Sequence, residues 1–413
     1  MSPVVKPPNN YLGDLRYARE QSGKSYPRQI WETLRLMAGP GHISPWAYYS
    51  LRLWDPAISW EHKQEFLGEN MHDWLLRNVS SRESEDLLRD KIAADEALCQ
   101  AGFRTPRLLA LYHADRRLES TPVLRTAGDL AAFLRDEMEY PFFYKPVTNN
   151  GSVGAGLAQS IDRDADVIER LGDPPIAVDD FAREIDAQGR QSARGEHDRP
   201  DHGYLFQAVA TNHPAISELC GPTLGTFRVY VVWDDRPPRV AALNWKMPGP
   251  DSPADNSFRQ GTLYVHVDLD TGEVVRVRRG RGARLEEFDE NPYTGRRMTG
   301  FRVPHFHEIL EIARSGAALF PGARYQGWDI GIDADGPIVI EANYGSGFDQ
   351  AQISTGRGLL TPEFRDFVRR AKRLNVDRGF LWPVSWNRLE SIWRLKGVAD
   401  VAKSFLPGVR KQS

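Results

Sequence analysis

The sequence predicts an α+β protein in which a helical N-terminal stretch leads into two consecutive lobes of mixed strand and helix and then into a helical tail. Three observations predict it. Residues 11 to about 100 carry apolar side chains at helical spacing with no alternating run, residues 103–160 and 221–350 carry short alternating runs broken by turn residues, and after Leu360 the spacing becomes helical again. The expected division is 1–100, 101–210, 211–360 and 361–413.

Each element follows from local pattern. Trp31, Leu34, Leu36 and Met37, then Trp74, Leu75 and Leu76, mark N-terminal helices. Residues 106–112 read as a strand. Phe142-Phe143-Tyr144-Lys145-Pro146 is a short aromatic strand ending in a lysine, and residues 147–156 after it are flexible and glycine-containing. Glycines let backbone N–H groups close on phosphate oxygens, and a strand-end lysine supplies a point charge for the same anion. No Lys-Ser or Lys-Thr follows the last glycine, so this is not a G-x-x-x-x-G-K-[ST] loop, and an ordinary turn is the alternative reading. Residues 182–202 are polar and without apolar period, which predicts an exposed insertion. From 221 to 350 strands alternate with turns such as Asp270-Thr271-Gly272, with a helix over Glu308 to Leu319.

Residues 328–343 read as a hairpin. Trp328, Ile330 and Ile332 alternate with Asp329, Gly331 and Asp333, and Ile338, Ile340 and Ala342 alternate with Val339, Glu341 and Asn343. If Asp333 faces Pro337 across the three-residue loop Ala334-Asp335-Gly336, the ladder sets Asp329 opposite Glu341. Opposed Cβ atoms then lie about 4.5–5.5 Å apart. Two carboxylates so close repel unless one is protonated or a cation lies between them, and Asn343 adds a neutral oxygen on the same face. A hard cation such as Mg²⁺ satisfies that set and takes its remaining oxygens from water or substrate phosphates. The alternative is a solvated acidic face.

Composition excludes other classes. With 413 residues, 41% hydrophobic and 26% charged, the chain is long enough for two or three cored domains, and a net charge of −3 offers no basic face to nucleic acid. Cys99 and Cys220 form neither a disulfide framework nor a zinc spacing. No apolar run approaches 18 residues and residues 1–10 lack an apolar signal core, so a cytoplasmic location without a membrane span is expected. The last thirty residues combine an apolar stripe with Lys and Arg; such a tail packs on the protein's own body or touches a membrane or partner.

Together, the strand-end lysine, the glycine loop and the acidic hairpin resemble the ATP-grasp superfamily, which includes D-alanine:D-alanine ligase and glutathione synthetase. The resemblance implies two α+β lobes clasping ATP. It places Lys145 and the loop residues Gly151, Ser152, Val153, Gly154 and Gly156 on the phosphates, and Asp329, Glu341 and Asn343 on two Mg²⁺ ions, with Mn²⁺ as a substitute. It further implies that Lys91 is a nucleotide lysine, that Gln207, Ala208 and Val209 form the adenine hinge, that Arg228 and Lys246 act catalytically near the phosphates, and that His213 or Glu218 stands in for the missing ribose acid. More narrowly, His42-Ile43-Ser44-Pro45-Trp46-Ala47-Tyr48-Tyr49, Gly327-Trp328-Asp329 and the run from Asn343 to Phe348-Asp349 resemble the sugar-transfer-associated ATP-grasp family over roughly residues 40–360.

The resemblance implies an ATP-dependent carboxylate–amine ligase working through an acyl phosphate, on small-molecule substrates such as a sugar-linked or amino-acid carboxylate. The same nucleotide machinery could phosphorylate a hydroxyl, or bind ATP without turnover. No covalent nucleophile is required; His213, His305 and His307 are the candidate bases.

Overall fold

The computed structural model describes residues 10–148, 154–191, 203–250, 252–254 and 261–374. Seven helices come first: Tyr11–Ser22, Tyr26–Met37, Pro45–Ser50, Trp60–Lys63, Glu69–Val79, Arg82–Arg89 and Lys91–Gln100. Local chemistry sets the junctions. Asp90 ends one helix and caps the next, accepting from the backbone N–H groups of Ile92 and Ala93 at 3.0 and 3.1 Å, and Arg116 pairs with its carboxylate. Lys91 therefore lies in the first turn of its helix.

The strands are β1 (Leu108–His113), β2 (Val123–Leu124), β3 (Phe142–Pro146), β4 (Gly156–Asp162), β5 (Val167–Arg170), β6 (Asp173–Ala177), β7 (Gly203–Ala208), β8 (Thr226–Val232), β9 (Arg239–Met247), β10 (Leu263–Val267), β11 (Val274–Arg281), β12 (Arg284–Phe288), β13 (Tyr325–Asp333) and β14 (Gly336–Asn343). They form two sheets of seven, in the orders β2-β1-β7-β3-β4-β5-β6 and β12-β11-β10-β9-β8-β13-β14. Apart from the β1–β2 pair, the described ladders are antiparallel. Phe142, Tyr144 and Phe206 of the first sheet pack with Phe181 and Ile185 of helix Val178–Gln191.

The second sheet is covered on both faces. Trp328, Ile330 and Ile332 alternate onto one face, against Ile309, Leu310 and Ala313 of helix Phe306–Ala317. On the other face Tyr264 packs with Tyr48 and Tyr49, and Tyr230 and Tyr325 pack with Leu67, Met71 and Leu75. The first five helices thus lie on the face that also carries Arg228 and Asp329, while Leu88, Ala94 and Leu98 of the next two join the core on the opposite face.

Four expectations are corrected. The hairpin turn has two central residues, Ala334 and Asp335, because Asp333 pairs with Gly336 and not Pro337. One extra residue in β14, Ile340, restores the register, so Asp329 still pairs with Glu341. That bulge turns Val339 into the core with Ala342 and leaves Ile340 half-buried beside the site. Residues 182–191 are no exposed insertion: they continue helix Val178–Gln191, whose Phe181, Ala182 and Ile185 are buried. The expected helix at Glu308 begins two residues earlier and ends at Ala317. Trp31 and Leu34 stay exposed, with the Arg28 and Arg35 guanidinium groups over the Trp31 ring. Helix Pro362–Leu374 follows Leu360, and the tail beyond residue 374 lies outside the described residues.

Candidate active site

The ladder that makes the sheet also assembles the site. Arg228 of β8 pairs in register with Asn244 of β9 on one side and with Asp329 of β13 on the other, and Asp329 pairs with Glu341 of β14. Because side chains alternate, all four share one face, and Lys246 and Asn343, each two residues along its strand, join them. Arg228 grips Asp329 with two parallel bonds, Nε to Oδ1 at 2.5 Å and Nη2 to Oδ2 at 2.6 Å, and Lys246 Nζ lies 3.1 Å from Oδ1. Lys91 Nζ is 3.1 Å from Glu341 Oε1.

These partners decide the charge states. Burial alone would push the Asp329 carboxyl up, but Arg228 and Lys246 outweigh it and hold the group down at about 2. Glu341 follows the same pattern: burial raises it, and Lys91 and then Lys145 pull it below the ordinary value. Arg228, although buried, is held protonated by Asp329. Burial lowers the Lys145 ammonium, with Glu341 opposing and Lys91 reinforcing the shift. Both carboxylates are therefore ionised at neutral pH, each stabilised by side-chain cations.

Lys91, Asp95, Lys145, Gln207 and Glu341 line one cleft between the sheets, walled by Leu88, Leu98, Leu205, Val339 and Ile340. Its two lysines and its apolar wall suit an anion joined to a flat apolar group. Asp95 was missed by sequence reasoning, although it stands one helical turn from Lys91 on the same helix face.

The remaining sequence candidates divide. Gly151, Ser152 and Val153 lie outside the described residues. Gly154 has φ +78°, and a Cβ there would meet the Tyr204 hydroxyl at 2.7 Å. Gly156 belongs to β4, opposite Tyr144, whose hydroxyl would lie 2.3 Å from an added Cβ; close packing in the strand accounts for this glycine. Of the three residues expected at an adenine hinge, Gln207 lines the cleft, the Ala208 N–H already donates to the Arg107 carbonyl at 2.9 Å, and Val209 is not among the lining residues. His213 is not brought to it. It caps helix Pro214–Cys220 through the Ala215 N–H, and its ring lies 6.1 Å from that of His305 near the hairpin turn.

Asp329, Glu341 and Asn343 fit a hard divalent cation. They offer two ionised carboxylates and the Asn343 carboxamide oxygen on adjacent strands. No group of three His, Cys, Asp or Glu side chains suited to a metal occurs among the described residues, so a cation here would take its further oxygens from a bound phosphate. No described helix is long and apolar enough to cross a membrane.

Over residues 70–365 the sequence matches the family described as sugar-transfer associated ATP-grasp. No curated protein matches it. Similar solved structures include an L-amino acid ligase from Bacillus licheniformis, at 12% identity and TM-score 0.37, covering 69% of this chain and 49% of that one. A biotin carboxylase from Campylobacter jejuni is similar at 11% identity and TM-score 0.44, covering 76% and 53%, and a D-alanine–D-alanine ligase from Bacillus anthracis at 12% and 0.38, covering 73% and 75%. The chain spans about half the length of the first two.

Proposed function

The chain belongs to the sugar-transfer-associated ATP-grasp family, and from that premise we propose that it is an ATP- and Mg²⁺-dependent ligase that joins a small carboxylate to an amine through an acyl phosphate. The observation that carries this reading is the continuity between the cleft lined by Lys91, Lys145 and Gln207 and the polar row of Glu341, Asp329 and Arg228. Adenine fits the apolar wall beside Gln207, and the phosphates run past Lys145 and Lys91 toward Glu341.

Bound at Asp329, Glu341 and Asn343, Mg²⁺ would supply electrostatic stabilisation for phosphoryl transfer. The chain's own cations do the rest. Lys145 and Lys91 neutralise the phosphate oxygens, and Arg228 and Lys246 stand where charge develops on the transferred group. The carboxylate oxygen attacks the terminal phosphorus and ADP leaves with the electron pair of the broken P–O bond; the neutral amine then attacks the acyl carbon, the acyl C–O bond breaks with its electron pair going to phosphate, and the amine's surplus proton passes to the departing phosphate.

The test is Mg²⁺-dependent ATP turnover against pooled carboxylates and pooled amines, scored for ADP, free phosphate and phosphorylated product. Free phosphate that appears only with both pools is the expected result. A stable phosphorylated product from one pool would make the protein a phosphotransferase instead. Lys145→Met is expected to weaken Mg-ATP binding by about tenfold or more, the effect of losing a charge-assisted bond to phosphate. Unchanged affinity in a calorimetric titration would remove Lys145 from the phosphate site.

A further inference from the structure

Beyond Asn343 stands a group of polar side chains that the nucleotide chemistry does not use. Next to Asn343 across the ladder is Gly327, and the Ser346 hydroxyl sits so close over it that a Cβ on Gly327 would lie 1.9 Å away. The other members come from distant parts of the chain: Asp349 and Gln350 at the start of helix Asp349–Thr355, and His72 of helix Glu69–Val79. The His72 ring meets Phe348 and Tyr325 edge-on, with centroids 5.8 and 6.2 Å apart, and the Tyr230 hydroxyl donates to the Gly347 carbonyl at 2.9 Å. Side chains and backbone are therefore held in place.

What is held is unsatisfied. Ser346 Oγ, Gln350 Oε1 and His72 Nε2 are buried, and none has a hydrogen-bond partner among the described residues. The Asp349 carboxylate sits in space left by Gly347, where an added Cβ would lie 2.7 Å from its Oδ1. Burial raises its carboxyl above the ordinary value, against the pull of the Gln350 N–H, His72 and Arg228. Arg228 does not serve as its counter-ion, because two of its nitrogens already bond Asp329. A single carboxylate beside a hydroxyl, a carboxamide and an imidazole is a poor metal site, and no three-residue metal cluster occurs among the described residues. A carboxylate, a carboxamide oxygen, a hydroxyl and an imidazole nitrogen all accept hydrogen bonds, and a primary ammonium offers three donors to such a set.

We propose that Asp349, with Ser346, Gln350 and His72, docks the primary amino group of the second substrate, so that the N-terminal helix Glu69–Val79 forms part of the acceptor site. This rests on the ligase reading and deepens it by assigning the amine its place. It also gives that helix a role in the chemistry: it lies on the site's face of the sheet and brings His72 against Phe348 and Tyr325.

The experiment titrates the full chain, loaded with Mg²⁺ and a non-hydrolysable ATP analogue, with a panel of primary amines: the amino acids, ethanolamine, putrescine and glucosamine, each beside its hydroxyl counterpart. At least one amine should bind saturably, and at least about tenfold more tightly than the matching alcohol. Asp349→Asn should weaken it by about tenfold or more, and His72→Gln by several-fold, with affinity for the ATP analogue unchanged within about twofold. No preference for amines over alcohols, or amine affinity untouched by Asp349→Asn, overturns the proposal. An amine that binds through Asp349 yet never stimulates phosphate release keeps the pocket and removes the ligase reading. Amine-dependent phosphate release that Asp349→Asn leaves unaltered does the opposite.

Discussion

Glu341→Gln is expected to lower kcat for ADP formation by about two to three orders of magnitude while the chain stays folded. The side chain has two roles to separate. As a cation ligand it supplies an ionised oxygen beside Asp329, its partner across the ladder. As a counter-ion it neutralises Lys91, 3.1 Å away, and Lys145. The roles predict opposite results for nucleotide binding. If Glu341 were only a counter-ion, removing its charge would free both lysines for phosphate, so ATP affinity would rise and turnover would persist. If it holds the metal, turnover collapses and is not restored by tighter nucleotide binding. Steady-state kinetics at several Mg²⁺ concentrations, with circular dichroism as the folding control, separates the two; a near-normal kcat would remove Glu341 from the metal site.

Much of this arrangement was legible because the hairpin is local. Alternation over residues 328–343 set Asp329 and Glu341 on one face, and their pairing survived an error in the turn only because the bulge at Ile340 cancelled it. A bulge leaves no mark on an alternating pattern, so the inward turn of Val339 could not be read. Non-local pairing was equally hidden: Arg228 grips Asp329 across 101 positions, and no spacing rule reports which strand lies beside which. Helix Val178–Gln191 was overlooked because Phe181, Ala182 and Ile185 make a narrow apolar stripe among charged residues and Gly189. Asp95 was within reach, one turn along the helix from Lys91. His72 was not, since only packing against Tyr325 and Phe348 brings that helix to the site.

The Arg228–Asp329 pair should have opposite effects on stability and on cation binding. Arg228→Met leaves Asp329 buried with Lys246 as its remaining partner, and breaking a buried pair from one side costs about 3 kcal/mol or more. The double change Arg228→Met with Asp329→Asn removes the stranded charge, so its cost should fall short of the sum of the two single changes by at least about 1 kcal/mol. Denaturant unfolding of the four proteins measures that coupling, and strict additivity would mean that the short contacts contribute nothing. Cation binding should move the other way. Both Asp329 oxygens accept from Arg228, so a metal that draws on Asp329 competes with the guanidinium, and Arg228→Met should bind Mn²⁺ more tightly while being less stable. Titration followed by the electron paramagnetic resonance of free Mn²⁺ reads this directly. Weaker binding in the variant would mean that Arg228 orients Asp329 for the ion and does not compete with it. On this competition, a cation held by Asp329 would leave the Arg228 guanidinium free on the same face of the sheet, where it would stabilise negative charge on a transferred phosphoryl group.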